Sequence, residues 1–131
     1  MSEDERNLVI YARLAAASAA KQQLSGRDRF LILSGVAATR AGWPTIAEEA
    51  RRLVLANNPR HLIGRWETFA DALRSDEFPV FLRQLQRICG PEQADHLLSS
   101  LHSDPAVPPE PDTDDLTDAI LGMWKSDDDA N

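Results

Sequence analysis

The chain has 131 residues, 43% of them apolar and 27% charged, with one cysteine and a net charge of −7. That length suits one domain, and the composition excludes a collagenous, disulfide-rich or largely disordered protein. No apolar run approaches the ~20 residues needed to cross a bilayer, and the opening Met1-Ser-Glu-Asp-Glu is acidic where a secretory leader is basic. A lone Cys89 cannot close an internal disulfide, so a reducing cytoplasm is the expected location.

Charge divides the chain. Residues 103–131 hold nine acids against Lys125 alone, a net −8, whereas residues 1–102 hold thirteen bases and twelve acids, a net +1. The expected organisation is a helical domain over 1–102, a linker over 103–112 with Pro105, Pro108, Pro109 and Pro111, and an acidic tail over 113–131.

In chain order, Ser2 with Glu5 reads as a capping box opening a helix from residue 3 to Leu24, closed by Ser25-Gly26. Its many alanines, among them 12, 15, 16, 19 and 20, raise helix propensity and leave a thin surface that another helix can approach. Asp28–Ala41 is apolar on nearly every side, which suits a central helix ended by Gly42. A buried strand at Phe30–Leu33 is the competing reading, and length favours the helix. Thr45 with Glu48 suggests a second capping box, followed by the stripe Ile46, Ala50, Leu53, Val54 up to Asn57-Asn58-Pro59.

Leu62, Trp66, Phe69 and Leu73 suggest a fourth helix, with Thr68 and Asp71 offering a fresh start near Glu67. Asp76 is the expected cap of a fifth, with Phe81, Leu85 and Ile88 as its core stripe and Gly90 at its end. Pro91 opens a sixth, whose buried face is read as Ala94, Leu97, Leu98 and Leu101. Thr113-Asp-Asp-Leu opens a last short helix with the stripe Leu116, Ile120, Met123, Trp124 and Lys125 at its end. No alternating strand pattern occurs, so the expected class is all-α, a compact bundle of antiparallel hairpins followed by a tail helix.

Gly35, Gly42, Ala47, Val54 and Pro59 stand at the spacing where a tetratricopeptide repeat has Gly, Gly, Ala, Ala and Pro, so residues 28–61 resemble one such unit. In it, Gly35 and Ala47 are expected to face each other where the hairpin closes. Arg51 stands where that family prefers an aromatic and Leu31 where it has Trp, and the flanking segments do not repeat the pattern. The resemblance implies binding of a peptide or partner helix on a concave face lined here by Arg29, Ile32, Val36, Thr39 and Arg40. Family members that clamp a C-terminal carboxylate use a lysine and an asparagine where this chain has Ile32 and Val36, so that activity is not expected.

Residues for catalysis are sparse. Cys89 and His96 make only a loose thiol–imidazole pair, and the thiol reads as a small packed group at a helix end. His61, His96 and His102 lack metal-ligand spacing, His61 reads as solvent-facing or as a helix cap, and the six scattered glycines form no phosphate-cradling loop. No catalytic residue, metal or cofactor is expected. Ten arginines against seven acids over residues 27–87 fall short of a nucleic-acid footprint, and the acidic tail repels phosphate.

The expected function is therefore non-enzymatic protein–protein interaction, an adaptor binding a peptide or helix. The alternative is a regulatory polyanion or nucleic-acid binder whose acidic tail competes for an Arg-rich face. A helix as short as that of the tail is unstable alone in water, so its stripe is expected to dock in an apolar groove on its own body or on a second copy. Arg29, Arg40, Arg51, Arg52, Arg60 and Arg65 are the expected flanks; a tail so placed competes with any partner for that groove. A homo-oligomer through the tail or the N-terminal helix is compatible with the same pattern.

Overall fold

The computed structural model describes residues 1–112 and 114–129, with side chains through Lys125. Among them the fold is all-α: α1 (Glu3–Ala20), α2 (Leu24–Ala41), α3 (Pro44–Asn57), α4 (Phe69–Leu73), α5 (Phe78–Ile88), α6 (Pro91–Ser100) and α7 (Leu116–Asp129), with a 3-10 turn at Leu62–Arg65. No strand occurs among the described residues, so Phe30–Leu33 belongs to a helix.

The capping box at the start of α1 forms in both directions: Glu5 N–H donates to Ser2 Oγ and Ser2 N–H to Glu5 Oε1, each at 3.1 Å. The helix ends four residues earlier than expected, at Ala20, and Ser25 and Gly26 lie inside the first turn of α2. The reason is a Schellman closure: Gln23 N–H reaches Ser18 O at 2.8 Å and Gln22 N–H reaches Ala19 O at 2.9 Å. This turn needs a left-handed residue, and Gln22 supplies it at φ +60°. The end of α2 repeats the motif with glycine: Gly42 has φ +84°, and Trp43 N–H reaches Ala38 O at 2.8 Å.

α2 is the central helix, buried without interruption from Leu31 to Ala38. It packs against α1, α3, α4 and α5, which together leave it no solvent face over those two turns. On α3 the expected stripe Ile46, Ala50, Leu53, Val54 is buried. Its start differs, because Trp43 is the cap residue, Pro44 occupies the first turn and Thr45 makes no cap. Proline pre-sets the backbone there, so the helix begins one residue before Thr45.

Beyond α3 the chain breaks at Glu67, as the Thr68–Asp71 pair allowed, and Asp71 N–H donates to Thr68 Oγ1 at 3.0 Å. Asp76 does not cap α5; Phe78 N–H instead finds Ser75 Oγ at 3.3 Å. The buried face of α5 is Phe78, Leu82 and Leu85, while Ile88 is 63% exposed. Phe78 sets that rotation, since its ring meets Trp66, Phe69 and Phe81 with centroids 5.9, 6.1 and 5.9 Å away. On α6 only Ala94 and Leu98 are buried; Leu97 is exposed and Leu101 half-buried.

The proline-rich segment is not a free extended spacer. Turns occupy much of residues 101–107, Asp104 pairs with Lys21 at 2.5 Å, and Arg13 Nε donates to Pro108 O at 2.9 Å. Thr113, expected to open the tail helix, lies outside the described residues. α7 runs past Lys125 to Asp129, so its last turn carries no base. It packs on α1 and α3 of the same chain.

Candidate functional site

One cavity of about 390 Å³ opens where α2 ends, α3 begins and α4 begins. Pro44, Ala47, Glu48 and Arg51 form one wall; their spacing of i, i+3, i+4, i+7 places them on a single face of α3. Glu67, Thr68, Phe69 and Ala70 form the facing wall, and Thr39 and Gly42 close the end.

Two glycine-and-alanine positions create this space. A Cβ at Gly35 would lie 2.2 Å from Phe69 Cε2, so the missing side chain is what seats the Phe69 ring against α2. The closest approach at Gly35 is made by Phe69: the three atoms nearest to that Cβ position all belong to its ring. Ala47 instead lines the cavity, where its small methyl leaves the volume open. The facing walls are tied together by Arg51, whose Nε donates to Trp66 O at 2.9 Å. Thr39, another lining residue, donates its Oγ1 hydroxyl back to Gly35 O at 2.8 Å. The cavity is apolar inside, with Glu48, Glu67 and Arg51 as its charged members.

The residues expected to line a concave binding face do not share one surface. Ile32 and Val36 are core residues, 0% and 3% exposed, and are corrected to packing positions. Arg29 and Arg40 are exposed, and Thr39 alone of the five lines the cavity. In the tail, Leu116, Ile120 and Trp124 are buried and Met123 is half-buried. Of the six arginines expected beside it, only Arg51 and Arg52 stand on either of the two helices that carry its main contacts.

The other titratable groups are built into the packing. His61 Nδ1 accepts from Ile63 N–H at 3.0 Å and its ring stands edge-on to Phe81, while burial pushes its imidazole below the usual range. Burial also pushes the Cys89 thiol up, opposed by Arg29, so the thiolate is disfavoured. Arg27 and Asp28, both 8% exposed, pair at 3.2 Å, and Asn57 Nδ2 donates to Asp28 Oδ2 at 2.7 Å. This pair clamps α2 to α3; the chain reads as a helix start there, so its burial had no signal in the residues alone. No group of three metal-ligating side chains occurs among the described residues.

The chain matches no protein-family model, and neither the curated proteins nor the solved structures contain a match to it.

Proposed function

We propose that the chain is a non-enzymatic adaptor that holds an apolar side chain of a partner peptide or helix in the α2–α3–α4 cavity. The observation that carries this reading is the cavity itself: an open, mostly apolar concavity of about 390 Å³, within the range that ligand sites occupy. Its lining fits a bulky aliphatic or aromatic side chain, with the Phe69 ring and the Ala47 methyl as contact surfaces. Glu48, Glu67 and Arg51 fix the orientation of the flanking peptide, because a misplaced charge beside a carboxylate or guanidinium is disfavoured. A Cys89 thiol and a His61 imidazole held in their neutral forms by burial lend no support to a nucleophilic or acid–base role.

The test is a displayed random-peptide library selected on the full chain and then offered Ala47→Leu, whose added methyls fill the cavity. Peptides sharing one bulky apolar residue and losing at least tenfold in affinity for Ala47→Leu support the reading. A library that enriches nothing, or peptides indifferent to the substitution, overturns it.

A further inference from the structure

α7 lies in a groove formed by α1 and α3. Leu116, Ile120 and Trp124, one turn apart on α7, are all buried there, at 2%, 0% and 1% exposure. The Trp124 indole donates to Ala12 O at 3.2 Å. We infer that this groove exchanges its helix, and that its occupant in trans is the α7 of a second copy of this chain.

Three independent features point to exchange. First, α7 is a poor helix in its own right. Gly122 sits in its middle, exposed, and a Cβ there would meet nothing within 4 Å, so packing does not require glycine. Glycine is markedly less favourable than alanine at such a position. Its last turn carries no base to complement the negative end of the helix dipole. The free energy that keeps α7 helical therefore comes from the groove, and folding of α7 is coupled to docking.

Second, the segment before α7 has its own anchors. The segment that leads to α7 is held to α1 through the Lys21–Asp104 pair and the Arg13–Pro108 hydrogen bond. Residues 109–115 are then a short tether that spans at most about 23 Å when extended. Third, α7 of another copy presents the same stripe and the same indole, so the packing and the hydrogen bond that opening breaks in cis re-form in trans. Cis docking is favoured by an effective concentration in the millimolar range. Trans exchange accordingly becomes substantial as the chain itself approaches that concentration.

Gly122→Pro breaks α7 at an exposed position without touching any buried residue. A fluorescein-labelled peptide of residues 113–131 is titrated against full-length Gly122→Pro and wild type. The vacated groove is expected to bind the peptide at least tenfold more tightly than wild type, whose own α7 competes, and a Trp124→Ala peptide is expected to lose that advantage. Equal binding to both chains, or no binding to Gly122→Pro, overturns the inference. A second measurement is light scattering on the wild-type chain and on Gly122→Pro from ~0.01 to ~1 mM. A dimer that grows with concentration and is absent in Gly122→Pro is expected; a monomer throughout, or a dimer that survives Gly122→Pro, overturns the assignment of a second copy.

Discussion

The indole N–H of Trp124 donates to the carbonyl of Ala12, 3.2 Å away and 112 residues earlier in the chain. Ala12 lies inside α1, where its carbonyl already serves the helical ladder. The residues one turn on, Ala15 and Ala16, carry only methyl groups, so the indole reaches a backbone atom that longer side chains would screen. The contact joins the two ends of the described chain and completes the core.

Trp124→Ala is expected to lower stability by about 3–5 kcal/mol, the usual range for deleting a buried aromatic. Trp124→Phe keeps most of the apolar contact and forfeits the hydrogen bond, for a loss of about 1–2 kcal/mol. Urea denaturation of the two variants checks the order. A Trp124→Ala chain as stable as wild type would mean that α7 contributes nothing to the body.

Gly35 and Phe69 form the second long-range fit. Because a Cβ at Gly35 would lie 2.2 Å from the ring, Gly35→Ala is expected to cost about 1–3 kcal/mol by overpacking, despite the better helix propensity of alanine. Phe69→Leu in the same chain makes room and is expected to recover part of that loss. A double-mutant cycle measures the coupling, and additive effects would show that the two residues do not meet.

Gln22 occupies a left-handed position that glycine takes at the end of α2. An L-residue there costs about 1–2 kcal/mol, part of which a glycine returns to the flexibility of the unfolded chain. Gln22→Gly is expected to raise stability by about 0.5–1 kcal/mol, and Gln22→Val to lower it. Thermal unfolding of both variants is the measurement.

His61 gives the chain a pH dependence of defined sign. Burial holds its imidazole below the ordinary value of 6.5, so the unfolded chain takes up a proton more readily than the native one. Its stabilising contribution is complete above that value and is lost as pH falls through it and through the lowered native value. The Tm is expected to fall between about pH 7.5 and 5. His61→Asn, which keeps an acceptor for Ile63 N–H but does not titrate, is expected to flatten that interval.

The residues themselves announced the helical class, the uninterrupted burial of Leu31–Ala38, the α3 stripe and the restart at Thr68, because each rests on local pattern. The end of α1 was illegible, since a glutamine at positive φ carries no compositional mark and Ser25-Gly26 offers a more conventional stop. The face of α5 was read wrongly because Phe78 joins an aromatic cluster with Trp66 and Phe69, which lie outside the helix. The cavity was out of reach for the same reason: its walls are 16 or more residues apart in the chain, from Arg51 to Glu67. A glycine in the buried Leu31–Ala38 stretch of α2 was the available signal. It pointed to a close approach at Gly35, which the Phe69 ring makes from beyond the hairpin.

The meeting of Trp124 with Ala12 also sets an order of events during synthesis. Of the described helices α1 is made first and α7 last, and at ~5–20 residues per second roughly 6–22 s separate Ala12 from Trp124. Throughout that interval the α1–α2–α3 hairpins can close through contacts between neighbours in sequence, while the side of α1 destined for α7 has no partner. An alanine-rich helix is well suited to that wait. Its methyl groups expose little apolar surface to neighbouring nascent chains, and the large ring that completes the core is delivered by the last helix to be made.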